Sequence, residues 1–244
     1  FVYVFSLGAM LLVGCGDSEG TGGSGGEAGT GGTNLTAVTV QANHWEVGGY
    51  VGPLEDVELC QVGTDYCVMS DSEGWATLQL PAGEEVAFTV EKEGFIKYLS
   101  AGVIPEAPLQ FQFGMATNER GALVHELVMS PYPPEGTGDI VISCFGGVSL
   151  PGATLELVGA TGKGFYYDEE GYWDPDLTET TSRPGSGSLG GFTEVAPGVV
   201  EVTWGGTAEG VPIFKGWPSE KENTMRVPVM AGYMSLEDLL CPAE

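Results

Sequence analysis

The sequence predicts an all-β protein: two tandem β-sandwiches that follow a short apolar leader and a glycine-rich stretch. Three observations carry this. Segments of strand length alternate apolar and polar residues, with Gly, Pro or acidic turn signals about every 8–12 residues. A block of the chain recurs, in order, about a hundred residues later. With 42% hydrophobic and 10% aromatic residues in 244 positions, the chain can also build one or two real cores.

The leader comes first. Residues 1–13 are almost wholly apolar, shorter than the roughly 20 residues that cross a bilayer and of the length of a secretory h-region. The first residue is Phe and no basic n-region precedes the run, as expected of a leader whose beginning is missing. Leu12-Val13-Gly14-Cys15 then resembles the lipobox of bacterial lipoproteins. The resemblance implies cleavage before Cys15, two acyl chains on its sulfur and a third on its new amino group. Two or three chains at about 0.8 kcal/mol per buried methylene hold a protein on a membrane. Residues 1–14 are thus read as a signal peptide and Cys15 as the anchor, in the bacterial envelope. Gly16, where some lipoproteins carry Asp, points to the outer membrane or the cell surface.

Residues 15–35 are the lipidated Cys and a disordered linker. Gly, Ser and Thr with Asp17, Glu19 and Glu27 bury too little apolar surface to offset chain entropy. Its Gly22–Gly26 match to the G-x-S-x-G elbow lacks the strand and helix that the elbow requires.

The repeat organises the remainder. Val57-Glu58-Leu59 aligns with Leu155-Glu156-Leu157, Asp71-x-Glu73-Gly74-Trp75 with Asp168-x-Glu170-Gly171-Tyr172, and Pro81-Ala82-Gly83 with Ala196-Pro197-Gly198. The expected domains are 36–130 and 131–244, the second carrying an inserted loop over 173–190. Residues 114–128 and 230–242 close the copies with helix-like patterns, Ser235-x-x-Asp238 reading as a helix start.

The first copy, with "DSEGWATLQLPAG" followed by "FTVEKEGF", closely resembles the carboxypeptidase regulatory-like domain, a transthyretin- or prealbumin-like β-sandwich. The second copy resembles it more weakly. The resemblance implies two tandem Ig-like or transthyretin-like β-sandwiches and a non-catalytic structural or recognition module; no active-site residue carries over.

Cys60, Cys67, Cys144 and Cys241 are an even set in a chain expected to leave the cytoplasm. Three pairings are possible. The favoured one joins Cys60 to Cys67 across the turn at Gly63–Asp65, and Cys144, on the first strand of the second copy, to Cys241 in the closing segment. The spacings suit neither a zinc site nor a redox pair.

Thirty-four acidic residues against eight Lys and Arg give a net charge of −26, which disfavours nucleic acid and anionic lipid as partners. His125-Glu126 begins an H-E-x-x-H pattern that Met129 breaks; His125 and His44 are read as satisfied or surface residues. No catalytic residue is assigned and no cofactor expected. Tyr166, Tyr172 and Trp173 in the second copy are the candidate ligand-binding residues, able to stack on a sugar or to enter a protein partner if exposed. Asp168, Glu170, Asp174 and Asp176 offer oxygens of the type that calcium takes, but without EF-hand spacing. The expected function is a lipid-anchored, non-catalytic structural or protein-recognition module. The alternatives are a carbohydrate-binding surface lipoprotein and an accessory subunit of an envelope hydrolase.

Overall fold

The computed structural model describes residues 34–46, 49–145, 149–181 and 187–241. The leader, Cys15 and the Gly-rich linker lie outside the described residues. Residues 34–244 form one compact unit.

The first copy contributes β1 (Leu35–Glu46), β2 (Gly49–Pro53), β3 (Glu58–Gln61), β4 (Cys67–Met69), β5 (Trp75–Pro81), β6 (Glu85–Glu91), β7 (Tyr98–Val103), β8 (Leu109–Met115) and the helix α1 (Asn118–Leu127). The second contributes β9 (Gly138–Cys144), β10 (Ala153–Val158), β11 (Lys163–Tyr167), β12 (Trp173–Asp174), β13 (Ser188–Val195), β14 (Gly198–Gly206), β15 (Trp217–Pro218), β16 (Thr224–Val229) and β17 (Met234–Leu239). The all-β sandwich architecture expected from the alternation is present.

Three sheets stack in layers. In the first, β5 and β2 share one edge of β1 and β8 runs parallel along the other. The second has the order β10-β14-β16-β15. Between them lies a nine-stranded sheet, β12-β11-β13-β9-β17-β7-β6-β3-β4. It draws strands from both copies of the repeat, which therefore share a layer. The alternation shows which face meets which neighbour. Val86, Phe88 and Val90 of β6 and Val141 of β9 pack into the core with β1, β5 and β8. Ile140 and Ile142 of β9 pack into the opposite core with β14 and β16. Ala87, Leu99 and Ala101 lie under Trp217, Met230 and Tyr233. Strands covered on both faces are buried without alternation, as over Asp139–Ile142 of β9 and Val86–Val90 of β6.

The seam between the copies is β17, parallel to β7 on one side and to β9 on the other. The helix start expected at Ser235-x-x-Asp238 is corrected here: those residues are strand. A helix cannot hydrogen-bond two flanking strands, and the open slot between β7 and β9 decides the matter. Met234 and Leu236 fall on one face and Leu239 on the other. The helix-like pattern of the first copy does form α1, with Thr117 as N-cap accepting from Arg120 N at 3.3 Å.

The repeated acidic-Gly turns share a backbone pattern, Asp71 N donating to Trp75 O and Asp168 N to Tyr172 O, with side-chain bonds that differ by one residue. Asp71 Oδ1 accepts from the N–H of Glu73 and of Trp75, each at 2.9 Å. Asp168 Oδ1 accepts from Gly171 and Tyr172, each at 2.7 Å. Gly74 (φ +80°) and Gly171 (φ +92°) supply the left-handed residue that the turn requires. The Pro-Ala-Gly and Ala-Pro-Gly turns each carry the chain from one sheet to another, β5 to β6 and β13 to β14. Cys60 pairs with Cys67 and Cys144 with Cys241, the former directly opposite each other on β3 and β4.

Candidate functional site

Of the three candidate aromatics of the second copy, Trp173 and Tyr166 are committed to the interior. Trp173, expected to open the inserted loop, belongs to β12 and is 3% exposed, stacked on Phe165 at 4.0 Å between ring centroids. Tyr166 is buried, and its hydroxyl accepts from Leu155 N at 2.8 Å. Tyr172 is half-buried under the Arg120 guanidinium, 4.5 Å from its ring, while Arg120 also donates to Gly171 O. Neither Trp173 nor Tyr166 presents a face for a sugar. The physical reason is period 2: Phe165 and Trp173 fall on the core side of adjacent strands and fill it together. The expected loop is also shorter, since β13 takes Ser188–Gly190.

The carboxylates considered for calcium carry out turn chemistry. Asp168 caps the acidic-Gly turn, and Asp174 Oδ1 accepts from Asp176 N at 2.8 Å. Among the described residues the one convergent group of metal-ligand type is Glu58 with Cys60 and Cys67, whose sulfurs are bonded to each other.

His125 is fully buried on α1. Its Nδ1 lies 2.8 Å from Gly121 O and its Nε2 2.9 Å from Asp139 Oδ2. A carbonyl only accepts, so Nδ1 carries a hydrogen toward Gly121 O, and Nε2 faces the carboxylate. Tyr132 and Trp173 cover the ring, with centroids at 4.9 and 5.0 Å. Both nitrogens are engaged, which leaves none to activate a nucleophile. His44 is a half-buried surface residue that meets Glu46 at 2.8 Å. The reading of both histidines as satisfied or surface residues agrees with these positions.

Asp139 leads to the site that sequence reasoning missed. It forms part of the wall of a cleft of about 560 Å³, of the size of small-ligand pockets. Three separated segments line this cleft: Phe95–Lys97 ahead of β7, Tyr132–Glu135 after α1, and Ala231–Met234 ahead of β17. It therefore opens at the seam where β17 enters the sheet. Gly121 makes room for the Tyr132 ring, since a Cβ there would lie 2.6 Å from ring carbons. The Tyr132 hydroxyl donates to Asn118 Oδ1 at 2.6 Å. Burial, then the charges of Asp139 and Glu119, push the Tyr132 hydroxyl up to about 12.

At the mouth, Lys97 Nζ sits 2.8 Å from Glu91 Oε2 and 5.6 Å from the Tyr233 ring centroid, while the Tyr233 hydroxyl donates to Glu91 Oε1. Burial raises the Glu91 carboxyl, but the hydrogen bonds from Lys97 and Tyr233 and the Lys97 charge outweigh it and leave it lowered. An adjoining basin carries Asp56, Glu58, Glu91 and Glu93 against Lys92 and Lys97. The region is aromatic-walled and acidic, with its one mouth lysine neutralised.

A second buried ionic cluster lies farther along the seam. Lys215 pairs with Asp238 at 2.7 Å, its ammonium 4.8 Å from the Phe111 ring centroid and 5.3 Å from that of Phe113. Next to it in sequence, Glu237 is fully buried in β17. Burial raises its carboxyl well above the ordinary value; Lys215 and the Ala101 N–H oppose that, and Asp238 adds to it.

No family model matches the sequence, and no curated protein matches it. Among solved structures, the chain is 17% identical to a type II cohesin–X-dockerin complex from Acetivibrio cellulolyticus over 34% of its length and 58% of that chain, with a TM-score of 0.29. Against the Bacillus anthracis TIE protein the figures are 13%, 84% and 34%, with a TM-score of 0.27. Against the shaft pilin of Lactobacillus rhamnosus GG they are 11%, 86% and 99%, with a TM-score of 0.24. The chain thus spans 58% and 34% of the first two. Likenesses at this level define no family. Among the described residues no helix is long and apolar enough to cross a membrane.

Proposed function

We propose that the protein is a lipid-anchored envelope protein whose β-sandwich unit serves as a non-catalytic, protein-recognition module. The anchor is Cys15, and 36–130 and 131–244 are two copies of one module. The cleft at the seam carries the reading: it is a preformed recess with aromatic walls, and the buried His–Asp pair beside it has both ring nitrogens occupied. Recognition follows from such a surface, whereas acyl or proton transfer requires a free base. Stacking of sugars on the second-copy aromatics loses support from the burial of Trp173 and Tyr166.

Two experiments test this. Metabolic labelling with an alkynyl palmitate should mark the wild-type protein and leave Cys15→Ser unmarked; equal labelling would remove the anchor. Affinity capture from envelope extract on residues 34–244 should retain a protein that Tyr233→Leu releases. Silence from folded bait would reduce the chain to a passive spacer.

A further inference from the structure

Asp139 is 1% exposed, and only one of its carboxylate oxygens is spoken for: Oδ2 faces His125, while Oδ1 has no hydrogen-bond partner. A buried acceptor left unmatched is costly, and native structures hold few of them. This one belongs to a residue of the cleft wall. The missing component is a donor.

The surroundings select the kind of donor. The cleft walls include three rings and two prolines, namely Phe95, Tyr132, Tyr233, Pro133 and Pro134, with Ile96 and Met234 beside them. Such walls suit an alkyl stem, and ring faces suit a cation. One ammonium already uses a wall this way, that of Lys97 over Tyr233. Glu135 and the neighbouring Asp56, Glu58 and Glu93, against Lys92, add negative charge, and the whole chain carries −26. A hydroxyl would satisfy Oδ1 but would leave this field unused.

We propose that the seam cleft receives a lysine side chain of a partner protein, its stem between the aromatic walls and its ammonium donating to Asp139. The inference rests on the protein-recognition reading and names the chemistry of the partner's contact. With Lys97 paired to Glu91 and Asp139 to His125, the incoming charge meets the negative charge of Glu135, Asp56, Glu58 and Glu93, which Lys92 offsets only in part, and binding weakens as salt rises.

The test uses residues 34–244, one compact unit, and two probes that share one stem: Nα-acetyl-lysine methylamide and its norleucine counterpart, which keeps all four stem carbons and lacks the ammonium. Backbone amide shifts of Asn118, Tyr132, Asp139 and Gly232 are followed by NMR. The lysine probe should move them saturably and bind about tenfold or more tightly than norleucine, the scale of a charge-assisted hydrogen bond. Asp139→Asn should abolish that preference. Because Asp139 also holds His125, the wild-type preference and Tyr233→Leu, which should weaken the lysine probe severalfold, decide the matter should Asp139→Asn fail to fold. Equal binding of both probes, shifts confined elsewhere, or a response to N-acetylglucosamine alone would overturn the assignment. A captured envelope protein that excess lysine probe fails to displace would overturn it too, while the recognition reading stood. A lysine-probe response with no protein captured would sink the recognition reading instead.

Discussion

Glu237 couples stability to pH through its burial. Its folded carboxyl titrates well above the ordinary 4.5 because burial disfavours its charge. Below about pH 4.5 both folded and unfolded states hold the proton, and the favourable contribution of the neutral acid is fully present. As pH rises from there through the folded value, the unfolded chain releases its proton first, and that contribution is lost. Glu237→Gln should therefore be more stable than wild type at pH 8, by roughly 1–3 kcal/mol, with the difference shrinking towards pH 4.5. Urea denaturation at the two pH values measures it, and a constant difference would refute the buried-acid account. Gly74 is a second sensitive position. With φ +80° and a would-be Cβ 2.5 Å from Ala42 O, Gly74→Ala should cost about 1–3 kcal/mol in thermal or chemical unfolding. Its local signal was visible, because Asp71-x-Glu73-Gly74 is a turn specified by neighbours in sequence. The Asp168 turn repeats it for the same reason.

At the scale of elements, the two disulfides differ in what they close. Cys60 and Cys67 are 7 residues apart, whereas Cys144 and Cys241 are 97 apart. Loop-closure entropy assigns about 2 kcal/mol to the first and about 4.7 to the second. The Cys144→Ala/Cys241→Ala double variant should thus lose roughly twice the stability of the Cys60→Ala/Cys67→Ala one, measured by denaturant midpoints; equal losses would contradict the entropy argument. The longer bridge also ties β9 to the segment just after β17, beside the seam. That seam was illegible in the sequence. Met234-Ser235-Leu236-Glu237-Asp238-Leu239 mixes buried acids with apolar residues, so neither period is clear. Backbone partners on both edges settle it as strand. Trp173 was placed at the start of the inserted loop for a related reason: its pairing, in β12, with Tyr167 and its stacking on Phe165 depend on a strand that the local pattern does not show.

On the scale of the whole molecule, 34 acidic residues against eight basic ones make self-repulsion a global term. Raising NaCl from 20 mM to 500 mM should raise the melting temperature by several degrees, because repulsion among exposed carboxylates is screened over about a Debye length. A fall in melting temperature would mean that ion pairs such as Lys215–Asp238 outweigh the repulsion. The shared nine-stranded sheet belongs to this scale as well. Each copy lends strands to one layer, and the cleft forms where the two contributions meet.

By itself the sequence determined the all-β class, the acidic-Gly turns, the α1 helix and the favoured disulfide pairs, since each depends on short-range periodicity, turn chemistry or cysteine position. Only the tertiary structure decided that the copies share a central sheet, that β17 is a strand, that Trp173 is core, and that Asp139, Tyr132, Lys97 and Tyr233 meet around one cleft. Those outcomes depend on which edges and faces remain open once distant segments have paired, and no local pattern carries that information.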